Sequence, residues 1–122
     1  MTDDEAVKVA AFVDWVRQVE PPTTLDSDLV EWGRRLFESE AVGCGSCHQG
    51  RELTDNRVHL IGDKWVRTPS LRGVSATPPY LHDGRAHYLE EVLTLGMAGV
   101  MGNLLGATDE ELGALVAYLQ SL

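Results

Sequence analysis

The stretch Cys44-Gly45-Ser46-Cys47-His48 carries the strongest signal in this chain. Its spacing is C-x-x-C-H, the attachment signature of a c-type haem. Residues i and i+3 of a helical turn share one face, so two thiols at this spacing can add to the two vinyl groups along one haem edge. The histidine that follows then points its ring at the iron as the proximal ligand. The sequence therefore predicts one covalent haem c, held by Cys44, Cys47 and His48.

Three other interpretations of the cysteine pair are weaker. A C-x-x-C redox dithiol would need a βαβ pattern to carry it, and the sequence has none. A structural zinc site would need four ligands at matching spacing, and no second ligand pair is present. A disulfide across so short a loop would add little stability. The chain has two cysteines in all, so no other thiol competes for the haem.

The iron of an electron-transfer haem usually takes a second axial ligand from the protein. Two methionines, Met97 and Met101, lie in a glycine-rich loop far along the chain from His48, and a thioether there can approach the other face of the ring. We predict Met97 as the distal ligand, with Met101 as the runner-up. The remaining candidates are histidines, which are more simply read as polar loop residues or partners of a propionate: His59, His82 and His87.

A ligating histidine also needs an acceptor for its other ring nitrogen. The backbone carbonyl of Pro69, on a rigid Thr-Pro-Ser-Leu segment, is the predicted acceptor. Trp65 and Arg72 flank that segment and are predicted to hydrogen-bond the haem propionates, as could Arg67. Trp65 and Tyr80 could equally be core aromatics.

Helical periodicity and capping boxes predict an all-α fold of three to four helices. Between residues 43 and 84 the chain is rich in glycine, proline and polar residues, and no convincing strand is recognisable there. So long an irregular stretch is unusual unless it is functional, and wrapping a haem would explain it. The predicted helices cover residues 3–19, 28–38, 88–95 and 108–119.

Pro21-Pro22 would stop the first helix and make a stiff connection. The predicted organisation is a helix and linker over residues 1–22, followed by the haem domain over residues 23–122. The first segment reads as the end of a preceding domain, so the chain could be a piece of a longer protein. Its acidic start lacks the basic residues of a signal peptide, and an exported chain would have lost its leader.

The net charge of −9 argues against a nucleic acid partner. No apolar run is long enough to predict a membrane span. Eight of the ten basic residues lie between Arg34 and Arg85, around the C-x-x-C-H motif. They are either ordinary solvated side chains or compensation for an anionic ligand such as the haem propionates.

Gly33-Arg34-Arg35-Leu36-Phe37 resembles the first helix of class I cytochromes c. In that family the glycine lets the C-terminal helix cross closely and pack an aromatic residue on it, which implies this role for Tyr118. The segment Thr68-Pro69-Ser70-Leu71 is similar to the family segment whose proline carbonyl holds the proximal histidine. The resemblance implies a cytochrome c fold.

A more specific resemblance runs through three motifs in order, within residues 27–122: Arg67–Gly73, Pro79–Gly84 and Leu89–Val92. Together they are similar to the C-terminal haem domain of bacterial di-haem cytochrome c peroxidases. That domain is the electron-entry half, so the resemblance implies one-electron transfer to a partner protein or adjacent haem domain, and no enzyme activity of the chain on its own. The alternatives are part of a larger peroxidase-type enzyme or a haem-based ligand sensor. Covalent haem implies an extracytoplasmic compartment, by analogy a bacterial periplasm.

Overall fold

A computed structural model describes residues 1–17, 24–95 and 101–122. The predicted Pro21-Pro22 linker and Met97 lie outside these residues. The described part contains four α-helices, one two-stranded antiparallel hairpin and two short 3₁₀ turns. The helices are α1 (Asp3–Arg17), α2 (Ser27–Glu38), α3 (Leu89–Leu95) and α4 (Asp109–Gln120), and the strands are β1 (Val58–Ile61) and β2 (Lys64–Arg67). None of the described helices is long and apolar enough to cross a membrane.

The helix starts follow from capping side chains. Thr108 accepts the backbone N–H of Glu111 while the Glu111 carboxylate accepts the N–H of Thr108, so the predicted capping box of α4 is present. Thr2 and Glu5 exchange the same pair of bonds at the start of α1. The four predicted helices are therefore found at nearly the predicted positions, and the all-α prediction is confirmed.

The core is built where α2 crosses α4. Gly33 is buried at the crossing, and a Cβ atom added to it would lie 1.9 Å from the carbonyl oxygen of Ala114. Phe37 packs edge-on against Tyr118 with ring centroids 5.2 Å apart. The predicted helix crossing at Gly33 and Tyr118 is confirmed. It places one wall of the core directly behind the cysteine turn, because Cys44 belongs to the same cluster.

The hairpin was not expected from the sequence. Leu60 pairs with Trp65 and His59 with Val66 across a turn at Gly62-Asp63. Thr68 closes the base of the hairpin by donating its N–H to the carbonyl of Arg57 at 2.9 Å. The expectation of no strand was wrong. Each strand has only four residues, and the neighbouring glycine and charged residues hide the alternation of apolar and polar side chains by which a strand is recognised.

Helix α1 is the exception to the packed arrangement. Its apolar side chains are largely exposed, with Phe12 at 61% and Trp15 at 62%. Phe12 and Trp15 contact each other, with ring centroids 6.0 Å apart. Exposed apolar side chains of this kind would suit contact with another domain, and the division of the chain at residue 22 stays a prediction.

Candidate cofactor-binding site

Two adjoining cavities lie between the helical core and the hairpin. Their volumes are about 400 and 270 Å³. Helices α2, α3 and α4 contribute apolar side chains to the larger one, and most of its other lining residues lie between α2 and α3. Both cavities share the following lining residues: Cys44, His48, Ile61, Val66, Arg67, Pro69 and Met101. The segments on either side of the irregular stretch thus converge on one largely apolar recess, of the size and character of a cofactor site.

The two thiols lie on a single turn at the wall of this recess. A 3₁₀ turn runs from Cys44 to Ser46, and the backbone N–H groups of Cys47 and His48 both donate to the carbonyl of Cys44. The two cysteines are not joined in a disulfide, and Cys44 is buried while Cys47 is half-buried. Burial raises the pKa of the Cys44 thiol to about 11. The short turn carries both cysteines three residues apart, which is the spacing that attachment to one haem edge requires.

His48 is held for metal ligation. Its side chain is buried, and Nδ1 lies 3.2 Å from the carbonyl oxygen of Leu53. A carbonyl can only accept, so Nδ1 carries the proton and the lone pair of Nε2 is left for a metal ion. Burial lowers the pKa of His48, while the carbonyls of Leu53 and Pro69 act in the opposite direction. The Leu53 carbonyl, which the sequence did not indicate, accepts the hydrogen bond of the ring, and the predicted role of the Pro69 carbonyl stays a prediction.

Trp65 and Arg72, the predicted propionate partners, lie outside the described lining of the two cavities. Trp65 is 71% exposed and is absent from the described lining of both cavities. Arg72 is also absent from that lining, and its guanidinium donates to the carbonyl of Arg51 at 3.3 Å. Arg67 lines both cavities instead. Of the three arginine and tryptophan candidates, Arg67 is the one in the described lining, and its guanidinium donates to the carbonyl of Asn56 at 2.6 Å.

Four of the five distal candidates belong to the described residues, and they differ in position. Met101 lines both cavities together with Cys44 and His48, and it packs against the core cluster. The N–H of Asn103, two residues later, donates to the carbonyl of Val42 at 2.8 Å, which ties this part of the chain to the cysteine turn. Of the histidines, His82 is exposed at the larger cavity, His59 lines the smaller one, and His87 lies outside the described lining of both.

A pair of polar side chains beside the cysteine turn was not predicted from the sequence. Asp55 and His59 form a close pair, with His59 Nε2 at 2.7 Å from Asp55 Oδ2. The backbone N–H of Arg57 holds the pKa of Asp55 down at about 2, so the carboxylate is ionised at neutral pH. The four-residue spacing between Asp55 and His59 gave no signal in the sequence. Such a spacing predicts neighbouring side chains on a helix, whereas Asp55 lies in a loop and His59 in a strand.

The residues present fit a covalently bound haem. Two thiols on one turn, a buried histidine with a free ring nitrogen, an apolar recess and a lining methionine are the donor set that such a group needs. This combination on an all-α framework defines a c-type haem protein.

Residues 30–122 match the cytochrome c family, and the chain belongs to that family. It therefore carries covalent haem c with its iron. The resemblance to haem domains of the di-haem peroxidase group, found in the sequence, is confirmed together with the family.

Two characterised proteins are similar in sequence. Hydrazine synthase subunit gamma of Kuenenia stuttgartiensis is 28% identical over 115 residues, covering 79% of this chain and 33% of the relative. Methylamine utilization protein MauG of Methylorubrum extorquens is 35% identical over 81 residues, covering 50% of this chain and 23% of the relative. The chain thus spans a third or less of the length of these relatives.

A solved structure shares the fold. Hydrazine synthase of Kuenenia stuttgartiensis, pressurised with xenon, superposes with a TM-score of 0.67 at 20% identity. The match covers 84% of this chain and 50% of the other. At this identity the likeness establishes the fold.

Proposed function

We propose that this domain transfers single electrons through one haem, attached at Cys44 and Cys47 and ligated by His48 and a methionine of the loop before α4. The observation that carries the proposal is that Cys44, Cys47, His48 and Met101 all line one cavity. The bound haem supplies the one-electron chemistry of its iron. The chain supplies the attachment points, the orientation of the histidine and the exclusion of water.

The count of one haem rests on the cysteines. The sequence has a single C-x-x-C-H motif and no further cysteine. Two cavities do not imply two haems, because they share seven lining residues and form one recess. An intact mass of the purified protein that exceeds the polypeptide by one haem would agree with this count, and an excess of two would contradict it.

Electron transfer is tested by a redox titration of the haem-loaded protein. We expect a reversible single-electron transition, followed in the visible spectrum. The reduced protein should react slowly or not at all with carbon monoxide, because both axial positions are filled by the protein. Rapid carbon monoxide binding by the ferrous protein would instead favour a five-coordinate sensor.

The distal ligand can be tested by replacing the two methionines separately. The register of the sequence favoured Met97, whereas the position of Met101 in the cavity lining supports Met101. We expect Met101→Ala to abolish the weak far-red sulfur-to-iron band of the ferric protein and Met97→Ala to retain it. A thioether favours the ferrous state, so the reduction potential should fall in the same variant.

The reverse pattern, with the band lost in Met97→Ala alone, would assign the ligand to the residue that the sequence favoured. If the wild type itself lacks the band, a thioether is not the ligand, and the histidines at the recess become the candidates. His87→Ala serves as a control, because His87 is exposed and lies outside the described lining.

Peroxidase activity is the enzyme alternative. A haem iron with two protein ligands offers no open position to peroxide, and the chain has a single attachment motif. We expect negligible turnover of hydrogen peroxide by the isolated chain with a standard electron donor. Turnover that persists after repurification and scales with haem content would move the domain into the enzyme class.

The partner and compartment follow from the same chemistry. We propose a redox protein or an adjacent haem domain as the electron partner, and an extracytoplasmic location, by analogy a bacterial periplasm. The exposure of α1 supports a neighbouring domain, because five of its large apolar side chains are open to solvent: Val7, Val9, Phe12, Val13 and Trp15.

A further inference from the structure

One face of the β1–β2 hairpin is open to solvent and largely apolar. Val58 pairs with Arg67, and Leu60 pairs with Trp65, and residues directly opposite each other share a face of a sheet. On this face Trp65 is 71%, Leu60 53% and Val58 48% exposed. The side chains of the other face are half-buried: His59, Ile61 and Val66. The exposed face, called here the hairpin surface, consists of Val58, Leu60, Trp65 and Arg67.

Four exposed arginines lie on the hairpin surface or in the loops that flank it. Among the residues that the structure describes, none of the four has a carboxylate at ion-pair distance from its guanidinium: Arg51, Arg57, Arg67 and Arg72. On α2, by contrast, Arg34 and Arg35 are both paired with Glu31. The positive charge beside the hairpin is therefore free to meet an anion from outside.

Backbone carbonyls bring these arginines together at the base of the hairpin. Arg67 Nη1 donates to the carbonyl of Asn56 at 2.6 Å, which places it beside the chain at Arg57. Arg72 Nη1 donates to the carbonyl of Arg51 at 3.3 Å, which joins the loops before and after the hairpin. A carbonyl carries no formal charge, so these bonds hold the guanidinium groups without neutralising them.

The charge of this segment is opposite to that of the rest of the chain. Residues 51–72 carry five basic and three acidic side chains, whereas the remaining residues carry five basic and sixteen acidic ones. A positive region on an acidic protein attracts a negatively charged surface and orients it on approach. Complementary charge thus selects an acidic partner for this part of the molecule.

We propose that the hairpin surface and its arginines dock an acidic protein, the electron partner of the domain. The proposal rests on the proposed function. Tryptophan and arginine are the side chains most enriched at the energetic centres of protein interfaces, and here Trp65 has arginines around it. The guanidinium groups of Arg57 and Arg67 would bind carboxylates of the partner, for which their planar donor geometry is suited.

The hairpin surface also borders the cofactor recess. Leu60 and Arg67 belong to the lining of the smaller cavity, together with Cys47 and His48. A protein docked on the hairpin would therefore lie beside the haem site, where electrons have a short way to travel. Three exposed apolar side chains make a small contact area, which is typical of transient electron-transfer complexes.

A protein fits this surface better than an anionic membrane does. The net charge of the chain is −9, and an extended anionic layer would lie close to much of its acidic surface as well as to the hairpin. The repulsion acts over the screening length of about 10 Å at moderate salt. An acidic patch on a protein can be confined to the area of the hairpin and avoids this repulsion.

The test is a titration of the full haem-loaded chain, isotopically labelled for NMR, with an acidic blue-copper electron-transfer protein. Both proteins are kept fully reduced, so no electron moves and binding is measured by itself. We expect the shifted backbone amides to cluster in the hairpin and its flanking loops, and the affinity to fall as salt is added. A basic redox protein of similar size should cause no such shifts.

Side-chain variants separate the apolar and the charged contributions. Trp65→Ala should weaken binding about tenfold or more, as the loss of a central anchor does, and should leave the salt dependence unchanged. Arg57→Gln should weaken binding about two- to fivefold, as the loss of an exposed ion pair does, and should reduce the salt dependence. Arg35→Gln is the matched control, because it changes the net charge equally on α2, and it should bind as the wild type does.

Other outcomes would overturn the proposal. These are no salt-sensitive binding of the acidic protein, shifts centred outside the hairpin and its flanking loops, or equal losses in Arg57→Gln and Arg35→Gln. Tighter binding to vesicles of anionic phospholipid than to the acidic protein would assign the surface to a membrane. Shifts that depend on the concentration of the chain alone would assign it to a second copy. Electron transfer is measured separately by redox titration, so its failure and the failure of docking are distinguishable.

Discussion

Replacing both cysteines of the turn, Cys44→Ala with Cys47→Ala, will abolish covalent attachment of the haem. The chain has no other thiol, so no thioether bond can form in its place. We expect the wild type, made in a host with c-type maturation machinery, to keep its colour after acid-acetone extraction. The double variant should become colourless, and its mass should be that of the polypeptide alone.

Ser46→Ala is the matched control for this experiment. Ser46 lies between the two cysteines, is exposed, and donates its hydroxyl to the carbonyl of Gly43 at 2.7 Å. Its loss leaves both thiols and His48 in place, so attachment should proceed. A colourless wild type, or a double variant that keeps a covalently bound haem, would contradict the proposed attachment site.

Gly33→Ala should destabilise the haem-loaded protein strongly, although it adds a single methyl group. The new Cβ atom would lie 1.9 Å from the Ala114 carbonyl oxygen and 2.8 Å from Tyr118 Cβ. A backbone carbonyl in a helix cannot turn away, so α2 and α4 must move apart. Overpacking typically costs about 1–3 kcal/mol, and a collision with backbone should fall at or above the upper end. Gly33→Leu should be worse still.

Chemical denaturation of the wild type and of Gly33→Ala measures this cost. Gly113→Ala is the control, since Gly113 also lies within a helix, and among the described residues no atom other than those of its chain neighbours and its own helix backbone comes within 4 Å of the position that a Cβ would take there. Alanine in a helix interior is about 0.5–1 kcal/mol better than glycine, so this variant should be slightly more stable. Equal stability of Gly33→Ala and the wild type would mean that the helices do not cross at Gly33.

The helical framework could be predicted because each of its signals is local or purely steric. The capping box at Thr108 and Glu111 and the apolar spacing of α4 lie within a few residues of each other. The crossing at Gly33 was implied by family resemblance, and the close approach to Ala114 supplies its physical reason.

The rest of the site depends on contacts that no short pattern encodes. The Leu53 carbonyl that holds His48 is a backbone atom, and any residue could supply it. Trp65 was assigned to the haem by its place beside Pro69, but strand pairing with Leu60 puts it on an exposed position. Gly62-Asp63 did offer a signal, since a Gly-Asp pair between two short apolar runs is typical of a hairpin turn.

The crossing of α2 and α4 also sets the order of events during synthesis. The two helices lie near opposite ends of the haem domain, so their contact closes a long loop and cannot form while the ribosome is still making the segment between them. Cys44 emerges early, yet the buried cluster to which it belongs includes Leu115 and Leu119 of α4, which are made much later. The Cys44 thiol of the nascent chain therefore stays open to solvent until α4 has been made.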